Sequence, residues 1–597
     1  MRLINFYLMR LRHASVAELL YRLRQALLEY QIRVRLSWDG AIHTPPLHAG
    51  APDTLQLPEI EGQLNSNEDN PTHILGTSYQ MIAAFERGYR NTKVCTSPDS
   101  TDIRAVWEPA RLQYITRMLR RSLMQPEAFQ GNGAKEIIKN QVLRWLEVNP
   151  FLKGPHYILA MECALRIPVF IACLKHLDNL SSTEFNHLVA AVYSHAWWTA
   201  SRLSLYSSLG NHTIAEAMGL IHAGAFFRHM PEGQKWLATG KALLDQELHH
   251  QILPDGGGAE QSIAYHRFVL DLYALSCDLL EGNSLGDYTT MRRHLACGES
   301  FLRAFSVGNS YLAIGDSDDG HAVAPGLHPR RPAVHKEQSD LEIFPDTGYS
   351  VVHAWNGCHL IFDHGPLGMP PLYNHGHADA LSLWLIRENQ VLLGDSGTYR
   401  YNGASTERAY FKGTRAHNTV CIDGLDQASQ VTSFIWSNPY QIHDVTQSRY
   451  SGGILLSASH DGYDRLQQPV RHNRQIFWDQ SNFIISDSFS GMGKHSFELN
   501  FHVDPHAEIV YEDGWWRVER ENATVSIRTM IGDTFRMIRG QTTPLLGWHS
   551  PAYGEKEPCS VLQSLKYGFP EMVSFITIIA TEGLPSMDDI RRKIVSL

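Results

Sequence analysis

Apolar residues recur at helical spacing through the first half of this chain, and at every second position through much of the rest. "SVAELLYRLRQALLEYQI" predicts an amphipathic helix capped by Ser15, and a Pro-, Gly- and Asn-rich stretch from about Thr44 to Thr72 reads as loop. From Ser78 the helical pattern resumes with "SYQMIAAFERGY" and continues through "ARLQYITRMLRRSLM", "AKEIIKNQVLRWLEV", "YILAMECALRIPVFIACLKHL", "TEFNHLVAAVYSHAWWTASRL", "HTIAEAMGLIHAGAFF", "GQKWLATGKALLDQELHHQI", "HRFVLDLYALSCDLLE" and "TTMRRHLACGESFLRAFS". The separators are short and carry Pro, Gly or Asn, as helix hairpins require. Many short-looped helices in series predict antiparallel pairs arranged as a solenoid or toroid, without any fixed-period sequence repeat.

Past about residue 325 the pattern changes. "GLHPRRPAVHKEQSD" reads as a polar linker, and alternating segments follow, among them "GYSVVHAW", "CHLIFDHG", "LSLWLI", "QVLLGD", "NTVCIDG", "HSFELNFHV" and "VSFITIIATEG". Such strands, with turn signals between them, predict antiparallel sheets packed as a sandwich. The expected organisation is a helical segment and loop over 1–77, a helical domain over 78–325, a linker over 326–345 and a sheet domain over 346–597. The fold class is α+β and multidomain.

Composition narrows the function. At 597 residues the chain exceeds one ordinary core, and 43% hydrophobic with 19% charged residues is a soluble globular balance. With 52 Lys+Arg against 62 Asp+Glu the formal charge is −10, which argues against nucleic acid as a partner. An acidic ligand then needs a local basic pocket. Eight cysteines without a CxxC pair argue against a zinc ribbon or a disulfide scaffold. Arg2, Arg10, Arg12, Arg22 and Arg24 interrupt the N-terminal segment, which lacks the apolar core of a signal peptide, and no stretch has the make-up of a membrane span. The expectation is a cytoplasmic chain, with periplasmic location or another export route left open, whose first helix docks on its own protein rather than on a membrane. Oligomeric state is not legible.

Three stretches carry more polar chemistry than folding needs. In "YSSLGNHTIAEAMG", Asn211 and His212 open an apolar helix, where Asn is also an ordinary cap. In "LPDGGGAEQSIAYHRFVL", three glycines allow close approach of a ligand, and Glu260, Tyr265 and His266 follow. Asp255 and Glu260 form a candidate carboxylate pair for glycoside hydrolysis. In "NHGHADALSLWLIRENQVLLGDSGTY", His375 and His377 stand two apart at the expected start of a strand, facing one space, and a turn at "REN" brings Asp395 back toward them. His377, Asp395 and His417 of "RAHNTV" supply two imidazoles and a carboxylate, a set suited to zinc. Arg400, Arg408, Lys412 and Arg415 bring positive charge to the same segment, as a pocket for an acidic sugar requires.

The run "NHGHADALS…LLGDSGTY…RAHNTVCIDG", with "GPHYILAMECALRI", "SLGNHTIAEAMGL" and "DGGGAEQSIAYHRF", resembles the heparinase II/III-like polysaccharide lyases, nearest the heparinase III type. The resemblance runs from about Pro150 to the end of the sheet region. It implies an incomplete (α/α) toroid followed by an antiparallel β-sandwich, and β-elimination on a uronic-acid polysaccharide. Asn211 would then bind the uronate carboxyl group, and Tyr265 and His375 would be the general base and acid, their assignment left open. His212, Glu162, Arg166, Glu260, His266, Arg400 and Arg415 are the expected substrate contacts. His377, Asp395 and His417 would hold a structural divalent metal, zinc by its donor set. His156 and Tyr157 depart from the asparagine–tryptophan pair found in many relatives. A hydrolase acting on an acidic glycan, and a non-catalytic glycan-binding protein of surface-polysaccharide production, are the alternatives.

Overall fold

The structure is a computed structural model that describes residues 14–39, 103–124, 133–206, 209–317, 327, 329–332, 339–402, 405–450, 452–530 and 534–596. The helix expected at "SYQMIAAFERGY" and part of the expected linker lie outside them. The chain divides into two compact units: Met1–Gln251, Arg267–Ala296 and Gly320–Ala333 form the first, and Ile252–His266, Cys297–Asp319 and Val334–Leu597 the second. The division does not fall at one point of the sequence, because two segments from the helical half belong with the sheets.

The helices of the first half are α1 (Val16–Asp39), α2 (Ile103–Ala110), α3 (Gln113–Met124), α4 (Gly133–Val148), α5 (Ala160–His176), α6 (Ser182–Ser201), α7 (Asn211–Phe226), α8 (Pro231–Gln251), α9 (Ile263–Gly282) and α10 (Thr289–Ala304). Helix α6 starts in a capping box, with Ser181 and Glu184 satisfying each other's backbone N–H groups. Within the first unit α5 packs on α6 and α7, and α7 on α8. Helix α7 is apolar nearly all round and almost wholly buried, as a helix inside a bundle must be.

The second unit contains three main antiparallel sheets. The first runs in sequence order through β1 (Leu341–Phe344), β2 (Tyr349–His353), β3 (Cys358–Asp363), β4 (Leu383–Arg387) and β5 (Gln390–Leu393). Strand β1 therefore falls inside the stretch read as linker. The β4–β5 hairpin turns at Glu388 and Asn389, whose φ of +50° and +59° suit a two-residue type I′ turn. A four-stranded sheet includes β6 (Val420–Ile422), and an eight-stranded sheet has Ile442–Tyr450 at one edge. That edge strand, "IHDVTQSRY", escapes sequence reading because it is mostly polar, a common state of edge strands. Leu360 and Leu385 of the first sheet, Val420 and Phe497 of the second, and Leu456, Ile485 and Phe575 of the third share one core. The unit is thus a sandwich.

Candidate active site

The strand expected to carry His375 and His377 starts only at Leu383, so both histidines sit in the loop before it. His375 has φ +74°, a left-handed conformation costly for a side-chain-bearing residue. A Cβ on Gly376 would lie 1.6 Å from the Leu367 carbonyl oxygen, so only glycine fits between the two histidines. The loop is stitched in place. Trp436 Nε1 donates to the Gly376 carbonyl at 2.9 Å, Thr414 Oγ1 to Ala378 O at 2.8 Å, and the Gln427 amide bonds both the N–H and the C=O of Ala380. A loop, not strand alternation, turns both imidazoles toward one carboxylate.

That carboxylate is Asp316. Its Oδ1 accepts from Arg408 Nη1 at 2.6 Å and lies 3.0 Å from His377 Nε2; its Oδ2 accepts from Arg408 Nη2 at 2.8 Å and lies 3.2 Å from His375 Nδ1. Burial alone would raise its pKa, but the Arg408 guanidinium and the two imidazoles hold it well below the usual carboxylate range. An ionised carboxylate only accepts, so each facing ring nitrogen carries its proton toward Asp316. His375 therefore turns Nε2 toward Glu260, whose Oε2 is 3.7 Å away. The Tyr265 ring stacks on His375 with centroids 3.7 Å apart and planes 25° apart, and its hydroxyl lies 3.1 Å from that of Tyr401. Tyr265 stands in the first turn of α9, which is fixed by Ser262 Oγ donating to the Asp316 carbonyl and by the Ala264 N–H donating to Ser317 Oγ.

His377, Asp395 and His417 each bring one ligand atom to within 4.8 Å of the others, all three buried. With Nε2 committed to Asp316, His377 presents Nδ1, which has no hydrogen-bond partner, and His417 Nε2 is likewise orphaned. His417 Nδ1 lies 2.8 Å from Asp395 Oδ2. Burial pushes His377 down to about 4, overriding Asp316, so its ring is neutral and its lone pair available. Two imidazoles, a carboxylate and orphaned buried nitrogens fit a divalent cation. Asn418 holds the neighbouring strands: its Nδ2 donates to Leu383 O and Gly394 O at 2.7 and 2.8 Å, and its Oδ1 accepts from His502 N at 2.6 Å. Arg474, wholly buried and paired with Asp487, donates to Leu381 O and Asn418 O at 2.7 and 2.6 Å.

Several sequence expectations are corrected. The three glycines serve packing against protein, since a Cβ on Gly257 would lie 1.7 Å from Thr347 Oγ1. Asp255 is no catalytic acid: it accepts from the N–H groups of Gly257, Asp346 and Thr347 and from the Thr347 hydroxyl. Glu162 and Arg166 are both fully buried. Glu162 binds Arg111 through two bonds of 2.8 and 2.9 Å, whereas Arg166 donates to Ala110 O, His156 O and His195 Nε2, so neither is a substrate contact. The local basic pocket also shrinks. Arg408 is taken by Asp316, Arg415 by a two-bond pair with Glu498, and Lys412 lies buried over Trp436 with its ammonium donating to Thr432 O. Burial and Arg408 push the Lys412 pKa well down. Arg400 stays half-buried beside Tyr399. His266 is buried edge-on to Phe301.

Asn211 and His212 open α7 in the first unit, with Gly210 at φ +106° as the cap in place of Asn211 itself. His156 and Tyr157 are buried in the same unit, the Tyr157 hydroxyl donating to Asn149 O at 2.8 Å. Sequence reading missed Asp316 and Tyr401 altogether. "IGDSDDG" offered only a run of acidic residues at the end of the helical half, and "TYRYNG" an aromatic among loop residues.

Comparison with known proteins bears on this geometry. Residues 138–287 match the family description "Heparinase II/III N-terminus" and residues 336–580 match "Heparinase II/III-like, C-terminal". Over 424 residues, 63% of this chain, the sequence is 23% identical to a heparin-sulfate lyase of Bacteroides stercoris, covering 58% of that protein. A heparin-sulfate lyase of Bacteroides thetaiotaomicron is 22% identical over 64% of this chain and 59% of its own length. The matched region thus spans less than two thirds of these relatives. A crystal structure of heparinase III superposes with a TM-score of 0.66 at 15% identity, covering 94% of this chain and 90% of that one. A Streptomyces coelicolor chondroitin AC lyase in complex with chondroitin sulphate gives 0.54 at 12% identity, covering 89% and 82%. The structural likeness is one of fold, an (α/α) toroid followed by antiparallel β-sheets.

Proposed function

The chain belongs to the heparinase II/III-like family, and from that membership we propose that it is a polysaccharide lyase cleaving a uronate-containing acidic polysaccharide by β-elimination. The observation that carries this reading is the Tyr265–His375 pair, stacked at 3.7 Å with His375 oriented by Asp316. The relatives' names as heparin-sulfate lyases support a glycosaminoglycan-type substrate.

The proton to be removed sits on C5 beside a carboxylate, and is weakly acidic until that carboxylate's charge is neutralised. Asn211 is assigned to hydrogen-bond the carboxyl group and stabilise the enolate-like anion. One of Tyr265 and His375 takes the C5 proton. The freed electron pair forms the C4–C5 double bond as the C4–O4 bond breaks, and the other residue protonates O4. Which does which follows from whether the uronate is gluco- or ido-configured. Asp316 keeps the His375 Nδ1 proton in place and leaves Nε2 for the substrate side, the service a buried carboxylate gives a catalytic imidazole. A divalent cation, zinc by its donor set, would be held by His377, Asp395 and His417 and would supply a structural tie among the loops that carry them.

The product's double bond is conjugated with its carboxylate and absorbs in the near ultraviolet. Incubation with a panel of heparan-, chondroitin- and bacterial uronate-type polysaccharides is expected to raise that absorbance on at least one. New reducing ends without absorbance would make the protein a hydrolase, and binding without product would make it a non-catalytic glycan-binding protein; either overturns the proposal.

A further inference from the structure

Among the described residues, helix α1 meets the rest of the fold through one face. The Tyr21 hydroxyl donates to the Leu203 carbonyl, Gln25 Nε2 to Ser201 O at 2.7 Å, and Glu29 pairs with Arg202 at 2.5 Å, with Ile32 buried on the same side. These positions recur at three and four residues and so share a face. The expected docking of this segment on its own protein accounts for that face. The other face is apolar and exposed: Val16, Leu19, Leu20, Leu23, Leu27 and Tyr30 are 73, 44, 63, 58, 54 and 68% exposed. Apart from Leu19 their spacing alternates four and three residues, making one straight stripe along a helix of 24 residues, about 36 Å long. An exposed apolar stripe of this extent marks an interaction surface.

Charge identifies what the surface fits. Residues 1–36 contain seven arginines against two glutamates, in a chain of net charge −10. Arg22 and Arg24 are exposed on α1, and Arg22 shares its charge with Glu18 at 2.6 Å. Pairing of two copies through this stripe would form a coiled coil, whose flanking positions here are Ala17, Leu19, Arg24, Ala26 and Gln31. None is acidic, so a second copy would add like charge without a partner for it. An anionic bilayer meets both features at once, accepting the apolar stripe at the acyl–headgroup boundary and the arginines among its headgroups. We propose that α1 is a peripheral anchor lying in the plane of an anionic lipid surface. This is attachment without crossing, since no described helix is long and apolar enough to span a membrane. The proposal is independent of the lyase reading.

Cosedimentation of the full chain with vesicles tests it, using phosphatidylcholine alone and phosphatidylcholine with about 30% phosphatidylglycerol. The protein is expected to pellet with the anionic vesicles only, and less so as salt rises. A Leu23→Glu/Leu27→Glu variant, altered at two solvent-facing positions, is expected to bind at least roughly tenfold more weakly with unchanged circular dichroism and melting temperature. Arg22→Glu/Arg24→Glu is expected to lose the salt dependence along with most of the binding. Equal binding to neutral vesicles, no binding, or wild-type binding by the leucine variant would each overturn the proposal. So would a wild-type dimer that the leucine variant converts to monomer, which would give the stripe to a second copy.

Discussion

Replacing Asp316 by asparagine removes one charge and almost no volume, so its effect reports the carboxylate's interactions directly. Both oxygens now receive two donors each, from Arg408, His375 and His377. An amide keeps one acceptor oxygen and turns an NH₂ toward groups that are themselves donors. Arg408, buried and otherwise hydrogen-bonded through Nε to Ser433 O, would face an uncompensated charge. Removing one partner of a buried ion pair costs about 3–5 kcal/mol, against at most about 1 kcal/mol for an exposed pair. Urea unfolding followed by fluorescence of the buried Trp384 and Trp436 measures the loss in this unit. The double variant Asp316→Asn/Arg408→Met is expected to cost less than the sum of the two singles, because neither charge is then left alone. Asp316 is depressed in the folded state, so its stabilisation is present above the unfolded value near about 3.9 and is lost as pH falls through the folded value. The variant should lack that acid-side loss. A loss below about 1 kcal/mol, or strictly additive single and double variants, would refute the picture of Asp316 as the charged centre of the site.

Tyr265→Phe deletes one hydroxyl, bonded to Tyr401, and is expected to lower turnover roughly 10²–10⁴-fold while costing about 1 kcal/mol of stability; activity within a few-fold of wild type on a cleaved polysaccharide would assign Tyr265 to packing. His375→Ala should lose activity and keep its metal, whereas His377→Ala should lose metal and thermal stability together, because ligand loss removes binding energy coupled to folding. Elemental analysis beside melting curves separates them, and stoichiometric metal in His377→Ala would refute the assignment. Burial pushes Glu216 up to about 8 despite its bonds from the Ser204 N–H and hydroxyl. Between about 4.3 and that value the folded chain keeps a proton the unfolded chain releases, so stability falls as pH rises. Glu216→Gln should flatten this slope, and parallel urea-midpoint profiles for variant and wild type would refute it.

What the sequence by itself determined is local. Helix and strand periodicities are written in neighbouring residues, so the helices from "ARLQYITRMLRRSLM" to "TTMRRHLACGESFLRAFS" and the Glu388–Asn389 hairpin were legible without tertiary information. The candidate site was legible only in its residue types and through family resemblance: Tyr265, His375 and the His377–Asp395–His417 set were named, but not what holds them. Only the tertiary structure decided which charges meet. Asp316 reaches His375, His377 and Arg408 across 59, 61 and 92 residues, and no spacing rule connects them. The same holds for the cations that looked like a substrate pocket. Arg408, Lys412 and Arg415 are basic in any sequence reading, yet a buried charge is tolerated only where an opposite charge or a carbonyl receives it. Packing gave each of them a partner inside the protein instead, Asp316 for Arg408, the Thr432 carbonyl for Lys412 and Glu498 for the partly buried Arg415. The exposed stripe on α1 is the converse case. Its periodicity is plain in the sequence, but only the fold showed that the docked face is the polar one, anchored at Tyr21, Gln25 and Glu29, so that the leucines are left outside.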